Sequence, residues 1–211
     1  MTKKERAAAV TELLKTVYPE AVCALHYTHD YELLFATRLS AQCTDARVNI
    51  VTEKLFKQFP TLQSFADASE EEIAEAIKTC GLFRTKARDL KACAMMLIAN
   101  YGGRVPDTME ELLKLPGVGR KTANLILGDV FKAPGAVVVD THCIRLSNRM
   151  GLVDNVKDPA KIEPILRAEL PPEKSSDFCH RLVLHGRAVC TARKPYCERC
   201  CVAHVCQTAA G

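Results

Sequence analysis

Leu115-Pro116-Gly117-Val118-Gly119-Arg120-Lys121-Thr122 is the stretch from which the architecture can be read. It lies between two segments with helical patterning, one running from a cap at Asp107 or Thr108 to Lys114, the other over Arg120–Phe131. Two glycines one residue apart allow backbone conformations closed to other residues, so the chain turns tightly between two helices. Such a turn leaves amide N–H groups pointing outward at the start of the second helix. The helix dipole makes that end positive, which suits a phosphate oxygen. Arg120 and Lys121 add charge. Taken alone, the stretch is equally a generic helix–helix turn. It is not a P-loop, because G-x4-G-K-[ST] needs a second glycine where Arg120 stands and no strong strand leads into the turn.

Outward from the hairpin, the pattern is helical nearly throughout. Thr2 and Glu5 form a capping box ahead of Val10, Leu13, Leu14 and Val17, and Pro19 closes that element. Tyr31–Arg38 and Ala46–Phe59 read as helices. Ser69 and Glu72 make a second capping box, leading into Ile73, Ala76, Ile77 and Cys80 before a stop at Gly81. Lys86–Tyr101 follows, ended by Gly102-Gly103. Asp158-Pro159 opens a helix to Leu170 that Pro164 is expected to kink or delay. Ser175 and Ser176 precede a last helix toward Val189. Only Ala136–Val139 looks strand-like, and four residues are too few for a sheet. The fold class expected is all-α.

The apolar fraction of 48% and charged fraction of 26% are ordinary for a soluble globular protein of 211 residues. No apolar run approaches a membrane span, and no leader is expected ahead of the first amphipathic helix. The formal net charge of +4 is compatible with a polyanionic partner without requiring one.

Eleven cysteines could suggest a secreted disulfide framework. Their odd number, and the clustering of Cys190, Cys197, Cys200 and Cys206, point instead to a metal site in a reducing compartment. The spacing C-x6-C-x2-C-x5-C suits either a [4Fe–4S] cluster or a structural zinc. Cys201 directly follows Cys200, so C-x3-C-x4-C is an alternative register. Asp140, after Val139 and before Thr141-His142, can cap the helix that follows it; that alone would explain its presence. The functional alternative makes it a charged partner of Lys121.

In combination these residues resemble the endonuclease III family, the iron–sulfur branch of the helix-hairpin-helix DNA glycosylases. The resemblance rests on Leu115–Asn124, Val139-Asp140-Thr141-His142 and the four-cysteine loop. It extends to Leu39-Ser40-Ala41-Gln42-Cys43-Thr44-Asp45, Gly81-Leu82 with Lys86-Ala87, and Leu184-His185-Gly186-Arg187. It covers essentially the whole chain, and the order of the motifs makes it specific. Cys201 is the notable departure, and the resemblance favours Cys200 as the third ligand.

The resemblance implies a two-lobed, all-helical fold. One lobe is a six-helix bundle with the hairpin, residues 22–132; the other joins residues 1–21 to 133–211 and carries a [4Fe–4S] cluster in the loop 190–206. It implies a monomeric, cytoplasmic, nucleoid-associated enzyme with no membrane association, acting on double-stranded DNA that contains damaged bases or abasic sites. Gln42 would fill the space vacated by an extruded nucleotide, and Leu82 would push between bases of the opposite strand. Gly117, Gly119, Arg120, Arg193 and Lys194 would contact DNA. Lys121 would attack the sugar carbon and form a Schiff base, with Asp140 assisting. An ordinary lysine is only roughly one part in 2,500 neutral at pH 7, so a nucleophilic one needs that help. A monofunctional adenine or mismatched-thymine glycosylase is a second expectation, disfavoured by Lys121. A DNA-binding module that has lost catalysis is a third, disfavoured by Lys121 and Asp140 together. His142 and His185 carry no assignment.

Overall fold

The computed structural model describes residues 1–210. Its helices are α1 (Lys3–Val17), α2 (Asp30–Leu39), α3 (Asp45–Gln58), α4 (Leu62–Asp67), α5 (Glu70–Ala76), α6 (Phe83–Tyr101), α7 (Met109–Leu112) and α8 (Arg120–Asp129). They continue with α9 (Thr141–Met150), α10 (Pro159–Glu169), α11 (Ser175–Ala188) and α12 (Gln207–Ala210). The chain is all-α: among the described residues there is no β-strand, only an isolated bridge between Cys190 and Pro195. No helix among them is long and apolar enough to cross a membrane.

Two compact units form. One is continuous, Cys23–Val130; the other joins Met1–Val22 to the segment from Phe131 onward. In the continuous unit α6 lies against α4 and α5, while α2 packs on α3 and α8. Phe35, Phe59 and Phe65 meet there, with ring centroids 4.9 Å (Phe35–Phe65) and 5.2 Å (Phe59–Phe65) apart. Leu33, Leu39, Leu55, Ile73 and Leu97 are fully buried around them. Each such side chain contributes about 1.5–3 kcal/mol by leaving water, which holds the helical ends that carry the hairpin. In the discontinuous unit α1 packs on α10 and α11, and α11 on α9. Ala7, Val10 and Leu14 supply the buried stripe of α1.

Both expected capping boxes form, at Thr2/Glu5 and Ser69/Glu72. Four expectations need correction. Ala136–Val139 is not a strand: its valines are buried, and the Val138 amide donates to the Cys179 thiol at 3.3 Å, with no neighbouring strand to take it. The helix expected from Lys86 starts earlier, at Phe83, and the unexpected α4 follows a cap at Thr61. Pro164 sits within α10 without delaying its start at Pro159, which Asp158 caps. Ser175 begins α11 rather than preceding it, because a 3-10 turn over Pro172–Lys174 feeds directly into the helix.

Candidate functional site

The hairpin is seated on an ion pair. Arg38 on α2 donates from Nε and Nη2 to Asp89 Oδ2 on α6, at 2.8 and 2.6 Å. A Cβ on Gly117 would lie 2.7 Å from Arg38 Nε and 3.1 Å from Asp89 Cβ. Gly117 also has φ +76°, a left-handed backbone that side chains disfavour. The Val118 amide donates to the Leu115 carbonyl at 3.2 Å and closes the turn. Gly119 differs: its φ of −108° is open to any residue, and a Cβ there would meet nothing within 4 Å. What Gly119 provides is the lack of a capping side chain over the first amides of α8. Arg120 and Lys121 are the first two residues of that helix, both exposed.

Gln42 and Leu82 belong to the same unit and share an uncommon feature. Neither is glycine, yet their φ angles are +57° and +47°. Gln42 is exposed, and Leu82, at the start of α6, is 57% exposed. A large apolar side chain held in water on a strained backbone is a combination that packing alone would not select.

Asp140 belongs to the other unit. It caps α9, its Oδ1 accepting from the Cys143 amide at 2.7 Å, so the structural role foreseen for it is present. The same helix grips the cysteine segment. Arg145 donates from Nη2 to the carbonyls of Gly186 and Cys190, each at 3.1 Å. Arg149 donates from Nη1 to the Thr191 carbonyl at 2.7 Å and lies 3.3 Å from Cys190 Sγ. Gly186 lets α11 come close to α9, since a Cβ there would fall 2.5 Å from His142 Nδ1. Spacing could not reveal these two arginines, because both act on backbone some forty residues away.

Cys190, Cys197, Cys200 and Cys206 line one pocket, together with Arg149 and His185. Cys201 is not among the residues that line it. His185 is buried and bonded on both ring nitrogens, to Tyr18 Oη at 3.2 Å and Cys200 Sγ at 3.3 Å. Burial pushes the Cys200 thiol up to about 11, so only a cationic centre would draw out its thiolate near neutrality. Among the described residues no three His, Cys, Asp or Glu side chains converge closely enough to hold a single metal ion. The four thiols instead face a shared pocket. Between the first two thiols the chain makes a small hairpin: Thr191 Oγ1 donates to the Lys194 carbonyl at 2.7 Å and accepts from its amide at 3.1 Å. Arg193 and Lys194 are exposed at its tip.

Comparisons with known proteins converge. The profile of the HhH-GPD superfamily base excision DNA repair proteins matches residues 35–172. Endonuclease III of Synechocystis sp. is 45% identical over 208 residues, 99% of this chain and 94% of the relative. A solved structure of a trapped endonuclease III–DNA covalent intermediate superposes with a TM-score of 0.91 at 38% identity, covering 100% of this chain and 98% of the other. A thermostable thymine-DNA glycosylase gives 0.86 at 27% identity, covering 98% and 97%.

Proposed function

The chain belongs to the endonuclease III family within the HhH-GPD superfamily of base excision DNA repair proteins, and from that premise we propose that it is a bifunctional DNA glycosylase and abasic-site lyase. Its substrate is double-stranded DNA carrying an oxidised pyrimidine or an abasic site. The observation that carries this reading is Lys121, exposed in the first turn of α8 directly after the hairpin, in a chain matched over its length by endonuclease III.

A base within a duplex is inaccessible until its nucleotide leaves the stack, at a cost of a few kcal/mol. Gln42 fills the space left behind, and Leu82 wedges between bases opposite. The hairpin amides, with Arg120, Arg193 and Lys194, hold phosphates and set the register without reading sequence. The neutral Lys121 amine attacks the sugar carbon that bears the base, and the base departs with the bonding electrons and takes up a proton. The sugar ring opens to an imine, which acidifies the adjacent proton. Loss of that proton expels the 3′ phosphate and cuts the strand, and water then releases the lysine. Asp140 is assigned to take the lysine proton and to balance positive charge developing on the sugar. With Oδ1 engaged by the Cys143 amide, Oδ2 is the oxygen assigned to it.

Cys190, Cys197, Cys200 and Cys206 are assigned as ligands of a [4Fe–4S] cluster. The shared cavity supports this, as do the Arg149 and His185 nitrogens beside Cys190 and Cys200, since hydrogen bonds to cluster sulfurs are usual. The exclusion of Cys201 from the cavity lining favours the register through Cys200. When bound, the cluster supplies a rigid anchor for the loop carrying Arg193 and Lys194. A monomer acting on chromosomal DNA in the cytoplasm completes the reading.

Borohydride reduces a Schiff base to a stable amine. Wild-type protein incubated with borohydride and a duplex containing one oxidised thymine is expected to give a covalent protein–DNA adduct, and Lys121→Ala none, with DNA binding largely retained. An adduct that persists in Lys121→Ala would assign the nucleophile elsewhere; none in the wild type would remove the lyase reading.

A further inference from the structure

Lys86 is fully buried, with no part of it exposed. A cation so placed is tolerated only where every proton finds an acceptor. Its Nζ donates to the carbonyls of Leu39 at 2.8 Å, Ala41 at 2.7 Å and Cys80 at 2.6 Å. An ammonium has three protons, and three carbonyls take them. Leu39 ends α2 and Cys80 ends the 3-10 turn Lys78–Cys80, so two of the acceptors sit where helical carbonyls lack partners and the dipole is negative.

These carbonyls lie in or at the start of two loops, and each loop carries a residue assigned to base extrusion. Ala41 immediately precedes Gln42, and Cys80 stands two residues before Leu82. Both Gln42 and Leu82 have left-handed backbones that a non-glycine residue keeps only where its surroundings over-determine it. One buried ammonium joined to both loops is such a surrounding.

We propose that Lys86 is a positioning residue for base extrusion: through the Leu39, Ala41 and Cys80 carbonyls it fixes the Gln42 loop against the Leu82 loop, so that the two side chains enter the duplex at a set separation. This rests on the function proposed above and names a device within it. Lys86 touches neither DNA nor the reacting atoms; it acts through the backbone. Methionine has nearly the same reach but no protons to give, so Lys86→Met releases both loops together.

The test compares two substrates in single-turnover assays: a duplex with one oxidised thymine, which must be extruded, and a single-stranded oligonucleotide with a preformed abasic site, which need not be. Lys86→Met is expected to slow base removal from the duplex about 100-fold, the scale of loss from a misplacement of about 1 Å. Cleavage of the single strand is expected to change by less than about 3-fold, and in a Gln42→Ala, Leu82→Ala background Lys86→Met should add less than about 3-fold on the duplex, because the groups it positions are gone. Equal losses on both substrates, or the full further loss in the double-substituted background, would make Lys86 a support of the fold only and overturn the proposal. So would an unaffected Lys86→Met in an active enzyme. If circular dichroism shows Lys86→Met unfolded, Lys86→Gln, which keeps a donor, carries the same comparison. A wild type inactive on both substrates would remove the functional reading itself, and this proposal with it.

Discussion

The hairpin at residues 115–119 and the cysteine segment at 190–206 are both assigned to DNA phosphates, yet they keep their shapes by different means. The hairpin is built from backbone and packing. Gly117 lies on the Arg38–Asp89 pair, Val118 closes the turn, and α7 and α8 continue into a buried core. The cysteine segment has little core of its own: Arg145 and Arg149 hold its first residues, and four thiols, that of Cys190 among them, face a common pocket. A segment of the first kind is as stable as the unit around it. One of the second kind depends on what its thiols bind, and its stability is separable from the rest.

The largest effect expected from breaking this contrast is that of Cys197→Ala. The visible absorption of a cluster should vanish, and hydrogen exchange should show residues 190–206 opening at a cost near ~0 kcal/mol while α6 keeps its protection. Loss of protection in both places would show that the two regions are not separable; an intact spectrum would reject Cys197 as a ligand. Next is Gly117→Val, which places a branched side chain on a left-handed backbone against Arg38, and should cost about 2–4 kcal/mol in denaturant unfolding. A cost below ~1 kcal/mol would mean that Arg38 swings aside and that the ion pair is no platform. Arg149→Met removes the guanidinium from the Thr191 and Ala192 carbonyls and should cost about 1–2 kcal/mol. Its mark would be faster bleaching of the cluster absorption, with the Gly117→Val unfolding unchanged in a combined variant. The smallest is Lys194→Ala, expected to lower the slope of log affinity against log salt by about 1 for every duplex, damaged or not.

What could be read in the sequence was local. Thr2 with Glu5, Ser69 with Glu72, and Asp158-Pro159 each announce a helix start, because a cap and its recipient lie within one turn. The hairpin and the cysteine spacing are equally short-range. Ala136–Val139 misleads for the same reason: a four-residue apolar run has no period to tell a strand from a buried connection, and only the tertiary structure supplies the Cys179 thiol as partner. Lys86 stood out only within the Lys86-Ala87 motif, and nothing there told of its burial, since two of its acceptors lie 47 and 45 residues away. Arg145 and Arg149 were hidden by the same distance. Gly119 teaches a smaller lesson: two glycines in one motif do different jobs, and only the angles separate them.

The discontinuity of the unit that joins Met1–Val22 to the segment from Phe131 onward bears on how the molecule is made. α1 leaves the ribosome first, but α10 and α11, on which it packs, come more than a hundred residues later. At synthesis rates of about 5–20 residues per second, Ala7, Val10 and Leu14 wait roughly ten to thirty seconds for their partners. Residues 23–130 form a compact unit of their own, so they can fold during that interval. The nascent chain can therefore pass through a state in which the hairpin is finished while the apolar stripe of α1 is still unmatched, and that stripe is the part of the protein a chaperone would find.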